Sequence, residues 1–574
     1  MKKLMLGNEA IARGAYEAGV RVVSSYPGTP STEITEYAAQ YGEMNCEWAP
    51  NEKVAAEVAY GAAMAGARSM TCMKHVGVNV AADPLFTAAY TGIRGGMAVV
   101  CADDPAMHSS QNEQDSRYYA RAAHIPMLEP SDSQECKDFV RLAFSLSEQY
   151  DTPVFVRLTT RIAHARSAVS LEDRAEVEVK PYQRDFMKYV MMPGMARKRH
   201  VVVEQRMNQM AEDANTLPVN RMEMGDTSLG VICSGACYAY VKEALPDASV
   251  LKLGLVHPLP RKLIGDFAQK VGRLVVIEEL EPVIEQQVAS WGIAVEGKNL
   301  TGLQGELSVS RISSMFGKDA PLEPADTLPA RPPVLCPGCP HRGAFYAMKK
   351  LKLNVMGDIG CYTMAALPPL SMLDACLCMG ASIGMAFGAE KAQGKAFSRR
   401  TVAVLGDSTF IHSGITPLID AVYNGGTITV VILDNSITGM TGHQQNPATG
   451  KNIVGEPAPQ LNLEVLCKAC GVQSVRVVDP FDQKEMQKVL KEETAREAVS
   501  VIIARRPCVL LLKEKTVPVR VEDCRNCGVC LGLGCPAIER GDTGIRINGA
   551  LCVDCGLCVD VCPFKAIHAG RESK

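Results

Sequence analysis

Cysteine spacing near the C-terminus constrains this chain more than any other feature. Eight of its 22 cysteines lie between positions 524 and 562, in two runs that each end in Cys-Pro. The runs read C-x2-C-x2-C-x4-C-P and C-x2-C-x2-C-x3-C-P. Three closely spaced thiolates can bind three corners of one iron–sulfur cube, and a distant fourth thiolate closes it. The spacing therefore predicts two [4Fe–4S] clusters, and with them a redox function.

The fourth cysteine of each run binds the cluster of the other run in the bacterial pattern. The first cluster then uses Cys524, Cys527, Cys530 and Cys562, and the second uses Cys552, Cys555, Cys558 and Cys535. The first run has one extra residue before its last cysteine, which loosens the second site without removing a ligand. Zinc sites and disulfides are the alternatives, but zinc sites usually show two C-x2-C pairs rather than two triplets with Cys-Pro.

Length and composition restrict the remaining classes. A chain of 574 residues exceeds one hydrophobic core and predicts several domains. Its net charge of −3 does not favour nucleic acid or an anionic membrane surface as a partner. The sequence contains no run of ~18 apolar residues, and its N-terminal apolar stretch is too short for a signal peptide. We therefore expect a cytoplasmic protein, because cysteine-rich chains outside secretion usually bind metals or carry out redox chemistry.

Strand-like apolar runs alternate with helical segments over most of the chain, which is typical of α/β folds with parallel sheets. The pattern changes at residues 166–225, which are rich in Arg, Lys and Met and are interpreted as a linker with one helix. The predicted domains are 1–165, 226–325, 334–515 and the cysteine-rich region 516–574, with a proline-rich hinge before 334.

Polar residues follow two of the predicted strands in the 334–515 domain. TVAVL is followed by Gly406, Asp407 and Ser408, and VVIL is followed by Asp434, Asn435 and Ser436. The carboxyl ends of parallel strands meet at one edge of a sheet, where such folds bind ligands. Oxygen ligands there suit Mg²⁺ together with a phosphate, and a glycine lets the phosphate approach the backbone.

The pair of motifs resembles the G-D-G…N-N signature of thiamine diphosphate enzymes, with Ser408 and Ser436 as departures. The runs CPGCPH (336–341), GDIGC (357–361) and NSITGMTGHQ (435–444) are similar to the diphosphate-binding domain of 2-oxoacid:ferredoxin oxidoreductases, and YPGTPSTE (26–33) to their pyrimidine-binding domain. The resemblance covers nearly the whole chain. It implies doubly wound thiamine-binding sheets, a transketolase C-terminal-like domain at 226–325 and an α+β ferredoxin-like domain with two clusters.

The resemblance also implies roles for individual residues. Asp407, Asn435 and the carbonyl of Ile437 would bind Mg²⁺, and Glu52 would lie near N1′ of the aminopyrimidine, with Glu57 as the neighbouring carboxylate that can be confused with it. Thr29 would contact the substrate carboxylate. The other residues expected at the cofactor are Cys336, Gly338, Cys339, His341, Gly357, Asp358, Cys361, Gly406, Ser408, Thr441 and Gly442. The three cysteines of this set could equally form a metal site.

The activity implied is the oxidative decarboxylation of a 2-oxo acid to an acyl-CoA and CO2, with transfer of electrons to an external ferredoxin. The order of segments, with the ferredoxin-like region at the C-terminus, resembles that of family members that act on an aryl 2-oxo acid, indolepyruvate, and the resemblance alone implies that substrate. Pyruvate, a branched-chain acid or phenylglyoxylate, a non-oxidative decarboxylase, and an electron-transfer subunit with a vestigial thiamine site remain alternatives. Since other members of the class carry a further domain of ~200 residues, a smaller beta subunit is expected as partner.

Overall fold

The computed structural model describes residues 1–319, 329, 332–512 and 517–570. The chain forms two compact units, residues 1–327 and 328–574. The predicted boundaries at 325 and at 515–516 lie outside the described residues.

The first unit is built on a parallel sheet in the order β12-β6-β7-β5-β4-β2-β3, in which only β12 is antiparallel to its neighbour. A second sheet has the order β13-β10-β11-β9, and β1 pairs with β8. The strands are β1 (Lys2–Leu6), β2 (Val22–Ser25), β3 (Asn45–Trp48), β4 (Ser69–Lys74), β5 (Met97–Asp103), β6 (Met127–Leu128), β7 (Val154–Thr159), β8 (Arg166–Ser170), β9 (Arg221–Glu223), β10 (Asp226–Ser234), β11 (Ala248–Leu253), β12 (Leu255–His257) and β13 (Arg273–Ile277).

Helices cover both faces of this sheet, and the strands β4, β5 and β7 are buried along their whole length, as expected for parallel strands. The helices are α1 (Gly7–Glu17), α2 (Thr32–Ala38), α3 (Glu52–Met64), α4 (His75–Thr91), α5 (Arg117–Ala123), α6 (Ser133–Tyr150), α7 (Thr160–His164), α8 (Phe186–Tyr189), α9 (Pro193–Asp213), α10 (Gly235–Ala244), α11 (Arg261–Ala268), α12 (Val283–Ser290), α13 (Lys298–Thr301) and α14 (Val309–Met315).

Two of the sequence boundaries pass through hydrogen-bonded structure. Strand β8 lies in the predicted linker and pairs with β1, so the chain is still part of the first domain beyond residue 165. Strand β12 lies in the predicted 226–325 domain but pairs with β6 of the first sheet. Apolar residues of both segments, such as Phe155 and Leu251, share one core. The helix predicted within 166–225 is α9.

The second unit contains a five-stranded parallel sheet in the order β14-β15-β16-β18-β17, followed by short antiparallel pairs, β19-β22 and β20-β21. Its strands are β14 (Asn354–Met356), β15 (Thr401–Gly406), β16 (Thr429–Asp434), β17 (Ser474–Val478), β18 (Ser500–Arg505), β19 (Arg520–Val521), β20 (Ile538–Arg540), β21 (Ile545–Ile547) and β22 (Ile567–His568). Its helices are α15 (His341–Leu351), α16 (Ala381–Gln393), α17 (Lys395–Ser398), α18 (Asp407–Thr409), α19 (Ile415–Tyr423), α20 (Leu463–Ala469), α21 (Gln483–Thr494) and α22 (Leu557–Val561).

Candidate active site

Asp407 and Asn435 follow neighbouring parallel strands of the second unit. Strands β15 and β16 are paired in register up to Gly406 and Leu433, so both polar motifs emerge at the same edge of the sheet. Asp407 and Asn435 are both buried. The two motifs that the sequence joined as one site therefore lie side by side.

The Asp407 carboxylate is held in an environment that favours a cation. Its Oδ2 atom is buried and makes no hydrogen bond within the described part of the chain. Burial, with a further contribution from the neighbouring Asp434, raises the pKa of Asp407 to about 7, whereas a contact from Asn446 opposes that shift. A buried carboxylate oxygen without a partner is costly unless a positive charge compensates it. The donor set present thus fits Mg²⁺, which binds a few carboxylate, amide and carbonyl oxygens.

The loop after β16 curls over this edge. Ser436 adopts a left-handed conformation with φ 61°, and the Ile437 amide donates to Asn435 Oδ1 at 3.3 Å. Further along, Thr441 Oγ1 donates to Gln444 Oε1 at 2.5 Å, and Gly442 has a φ of 121° that favours glycine. The predicted residues Thr441 and Gly442 therefore shape the loop.

Gly406 and Gly357 are both packed against side chains. A Cβ at Gly406 would lie 3.0 Å from Tyr362 Cε1, and one at Gly357 would lie 2.5 Å from Leu373 Cδ2. The sequence predicted that a phosphate could approach the backbone at Gly406. On the side where a Cβ would lie, the Tyr362 ring occupies that space. Ser408 follows Asp407 at the start of α18 and is buried.

Asp358 is tied to backbone amides. Its carboxylate accepts from the amides of Ile359 at 2.8 Å, Gly380 at 2.7 Å and Ser382 at 3.0 Å. These bonds fix the start of α16 against the GDIGC turn. Because its oxygens are occupied in this way, Asp358 orders the turn rather than presenting a free ligand.

Four cysteines gather beside the Asn435 loop. Cys336, Cys339 and Cys361 interact electrostatically with one another, and Cys508 interacts with Cys336 and Cys361. The Cys508 amide donates to the Asn435 carbonyl at 2.9 Å. The sequence prediction had three of these thiols and no fourth.

His341 begins α15 directly after the CPGC turn. It is buried, burial lowers its pKa to about 4, and its ring packs edge-on against Tyr362 with centroids 5.7 Å apart. The neutral imidazole is thus part of the packing around the turn.

The CPGC turn also touches the cysteine-rich region. Gly338 has a φ of 71°, and a Cβ there would lie 3.5 Å from the Cys555 Cβ. Arg342 donates from Nη1 to the carbonyls of Leu533 and Gly534, at 2.9 and 2.6 Å. Arg342 thus holds the first cysteine run, and Gly338 approaches the second run, next to the cysteines at the sheet edge.

The two crossed ligand sets come together as separate groups. Cys524, Cys527, Cys530 and Cys562 surround one cavity. Cys535 interacts electrostatically with both Cys555 and Cys558, and so does Cys552. No group of three or more His, Cys, Asp or Glu in the described ranges converges on a single-ion site. A [4Fe–4S] cube needs four thiolates, each bound to its own iron, and each cysteine set supplies that number of thiols.

Glu52 is the first residue of α3 in the first unit. It is buried, and Asn51 caps the helix by accepting from the Val54 amide at 2.9 Å. A Cβ on Gly77 would lie 2.7 Å from both Cγ and Oε1 of Glu52, so the glycine makes room for this carboxylate. Glu57 is half exposed and paired with Lys53. Only Glu52 of the two carboxylates is placed inside the unit.

Thr29 lies in a turn that contacts the end of β4. Lys74 packs against Gly28, where a Cβ would be 3.1 Å from Lys74 Cβ, and Lys74 Nζ donates to the Ser109 carbonyl at 2.6 Å. Ser109 Oγ in turn donates to the Thr29 carbonyl at 3.4 Å. Burial lowers the pKa of Lys74 to about 8, against an opposing effect of Asp104. This cation was not identified from the sequence.

A cavity of about 270 Å³ opens near the same turn, lined by His108, Thr160, Arg161, His164 and Ala165. His164 Nε2 lies 3.6 Å from Glu33 Oε2 at the start of α2, and this neighbouring carboxylate raises the pKa of His164. Arg161 forms a bidentate pair with Glu306 at 2.6 and 2.7 Å.

Four residues that the sequence did not single out lie near predicted site residues or line the cavity: Lys74, Arg161, Asn446 and Cys508. Asn446 and Cys508 lie near the predicted loop, but no sequence motif fixes their spacing from it, so no pattern could identify them. Lys74 carries a weak signal, because a lysine at the carboxyl end of a buried strand, next to His75, is unusual in a core.

Three family models match separate parts of the chain. Residues 13–224 match "Pyruvate flavodoxin/ferredoxin oxidoreductase, thiamine diP-bdg", residues 358–504 match "Thiamine pyrophosphate enzyme, C-terminal TPP binding domain", and residues 545–568 match "4Fe-4S binding domain". The first cysteine run lies outside the last match.

Two relatives that match this chain over nearly their full length carry the same name. "Indolepyruvate oxidoreductase subunit IorA" from Archaeoglobus fulgidus is 41% identical, covering 100% of this chain and 98% of its own length. The subunit of the same name from Pyrococcus horikoshii is 40% identical over the same shares. The chain belongs to the IorA family. The predicted family, the α/β fold class with thiamine-binding and iron–sulfur domains, and the oxidoreductase assignment are thereby confirmed.

One solved structure is also similar, a 2-oxoglutarate:ferredoxin oxidoreductase from Magnetococcus marinus with 2-oxoglutarate, coenzyme A and succinyl-CoA bound. It has a TM-score of 0.45 and 17% identity, and the match covers 55% of this chain and 65% of that one. Within the described ranges, no helix of this IorA family member is both long and apolar enough to span a bilayer.

Proposed function

We propose that this chain is the large subunit of an enzyme that oxidatively decarboxylates indolepyruvate to an acyl-CoA. One 2-oxo acid and one coenzyme A thiol give CO2, the thioester and a proton. The two electrons released pass one at a time to two external ferredoxin molecules. The single observation that carries the proposal is a continuous set of contacts in the second unit. It runs from the buried Asp407 edge through the Asn435–Cys508 bond to the CPGC turn and Cys555.

Thiamine diphosphate, when bound, supplies the carbon nucleophile for the 2-oxo carbon and takes up the electron pair left when CO2 departs. Asp407, Asn435 and the Ile437 carbonyl would hold the Mg²⁺ that anchors its diphosphate. The Oδ2 atom of Asp407 is the observation that supports this metal, since it is buried and lacks a hydrogen-bond partner in the described part of the chain, whereas Oδ1 accepts from the Ser408 amide.

Two residues of the first unit would act on organic groups. Glu52 would hold a proton at N1′ of the aminopyrimidine, and its burial beside Gly77 keeps that carboxylate in one position. Thr29 would donate from its hydroxyl to the substrate carboxylate. Lys74 would be a second binding group for that carboxylate, since its side chain lies next to the same turn.

Two [4Fe–4S] clusters with exchanged fourth ligands would carry the electrons onward. The cavity bounded by Cys524, Cys527, Cys530 and Cys562 supports the first set. The four thiols of Cys336, Cys339, Cys361 and Cys508 also have the number of ligands that a further cluster needs. About 12 rather than about 8 iron atoms per chain would indicate that this third group is loaded as well.

The aryl substrate rests on the names of the relatives and on the order of segments. Pyruvate, a branched-chain acid and phenylglyoxylate would use the same mechanism, because all of them react at the same 2-oxo carboxylate group. A simple decarboxylase would not need the cysteine contacts. A vestigial thiamine site would not need a buried Asp407 oxygen that lacks a hydrogen-bond partner in the described part of the chain. The smaller beta subunit, the external ferredoxin, coenzyme A and a cytoplasmic, anaerobic setting complete the proposal.

The test uses the complex of this chain with its smaller subunit, purified without oxygen and supplied with thiamine diphosphate, Mg²⁺ and coenzyme A. Ferredoxin reduction is followed with indolepyruvate beside pyruvate. Faster turnover with indolepyruvate is expected, and pyruvate alone would change the substrate but keep the reaction. CO2 release without reduction would indicate the decarboxylase. Silence with intact clusters would indicate the electron-transfer role.

Asp407→Asn provides the internal check on the metal. Loss of one anionic ligand should weaken Mg²⁺-dependent binding of thiamine diphosphate by on the order of 100-fold, measured by calorimetry. Asp420→Asn, in α19 of the same unit, is the matched control and should bind like the wild type.

A further inference from the structure

The segment 179–202 of the first unit exposes an unusual number of large apolar side chains. Their exposed fractions run from 36% to 66%, and they occur within 24 consecutive positions. The exposed residues are Val179, Tyr182, Phe186, Met187, Val190, Met192, Val201 and Val202. We refer to this surface as the 179–202 face. Apolar surfaces of this extent are uncommon on soluble monomers and usually mark sites of interaction.

This face belongs to an anchored segment. Arg94 Nε donates to the Pro181 carbonyl at 2.6 Å, and Lys188 Nζ donates to the Ile93 carbonyl at 2.6 Å. Arg199 pairs with Asp151 at 3.0 Å. Polar groups thus fasten the inner side of the segment, while its apolar side chains point away from the unit. A partner would meet a preformed surface and would pay little ordering entropy.

The charge on the face selects the kind of partner. Of the six Lys or Arg residues in this segment, Lys188 and Arg199 are paired with Asp151 on its inner side. The other four remain in excess over the single acidic residue, Asp185. Arg184, Arg197 and Lys198 are exposed at its rim. A symmetric dimer through this face would bring two patches of the same sign together. A second copy of this chain is therefore disfavoured, and a partner with carboxylates around an apolar centre is favoured.

A membrane surface is a weaker fit for the same residues. Interfacial helices present one continuous apolar stripe opposite a basic face. Here the exposed apolar residues are spread over an irregular stretch, the short α8 and two adjacent valines of α9. That distribution suits a shaped protein surface.

We infer that the 179–202 face is the docking site for the smaller subunit of the same enzyme, which meets it with an apolar patch rimmed by Asp and Glu. The inference rests on the two-subunit assembly proposed above and identifies where on the large subunit that assembly forms. Basic residues at the rim speed the encounter, and the apolar centre sets the lifetime of the complex.

The test compares variants of the full-length chain, each loaded with clusters, for binding to the wild-type smaller subunit. Phe186→Asp/Val190→Asp should weaken the complex at least tenfold, through faster dissociation. Arg184→Glu/Lys198→Glu should slow association and flatten its dependence on salt. Leu303→Asp and Tyr423→Asp replace large apolar residues elsewhere that are exposed to a similar extent (Leu303) or a greater one (Tyr423), and both variants should bind normally. Iron content and melting temperature report whether each variant is folded.

Unchanged binding by the folded Phe186→Asp/Val190→Asp variant would overturn the inference. The inference would also be overturned if this variant changed the sedimentation of the large subunit alone but not its binding to the smaller subunit. That result would indicate that a second copy of this chain occupies the face. Loss of vesicle binding, with the subunit complex intact, would indicate a membrane. If the wild-type complex forms through this face but reduces no ferredoxin with any 2-oxo acid, the docking site stands and the proposed function fails.

Discussion

Room for the Glu52 carboxylate depends on the absence of a side chain at position 77. The closest approach of a Cβ there would be 2.7 Å, to Cγ of Glu52 as well as to its carboxylate oxygen. Gly77→Ala should therefore displace Glu52 and lower kcat by on the order of 100-fold, because displacements of about 1 Å have that effect in active sites. The measurement is steady-state ferredoxin reduction.

Gly61→Ala is the matched control, since a Cβ at that position of α3 meets nothing within 4 Å. It should keep full activity and gain about 0.5–1 kcal/mol in the free energy of unfolding, because alanine favours helix over glycine. Equal activity of the two variants would remove the argument for a fixed Glu52.

Lys74 should give the reaction a pH dependence on its alkaline side. Because burial lowers its pKa to about 8, the ammonium is present below that pH and is lost above it. The value of kcat/KM for the 2-oxo acid should then fall up to tenfold per unit above about pH 8, since this ratio reports groups of the free enzyme. Lys74→Met should lower kcat/KM throughout and remove this limb, whereas Lys53→Met, an exposed control, should retain it.

The same shift affects stability with a defined sign. The folded protein holds this proton less tightly than the unfolded chain, whose lysine has the ordinary pKa of 10.5. The contribution of Lys74 to stability therefore rises from about pH 8 to about 10.5. If the pH profile of kcat/KM for the wild type showed no alkaline limb, the role of Lys74 in binding the substrate carboxylate would be contradicted.

At the scale of elements, the cysteine-rich region has little regular structure of its own. Its strands β19, β20, β21 and β22 have two or three residues each, and cysteines form much of its core. A region of this size without bound metal is marginal in stability. Removal of iron with a chelator should make residues 517–570 sensitive to protease while α3 and α4 stay protected. Hydrogen exchange before and after chelation tests this, and equal protection in both states would refute it.

The success of sequence reasoning also depended on the element concerned. The cysteine runs and the Asp407 and Asn435 motifs were predictable, because local spacing and strand ends fix where those side chains go. Cys508 and Asn446 were missed, since only the folded loop brings them to the sheet edge. The 226–325 segment was separated from the first domain because β12, a three-residue strand, has too few residues to reveal its pairing with β6.

At the scale of the molecule, the chain carries the groups for cofactor binding and electron transfer in two units with separate cores. The family matches account for thiamine and iron–sulfur binding at 13–224, 358–504 and 545–568, and the relatives are named as subunits. Purified alone, this chain should bind thiamine diphosphate and iron but should not reach full coenzyme A-dependent turnover. Addition of the smaller subunit should restore turnover. The rate should reach its maximum when the two subunits are present in the ratio found in the native complex. Full activity of the isolated chain, or a rate that rises without saturation, would show that the smaller subunit does not complete the enzyme.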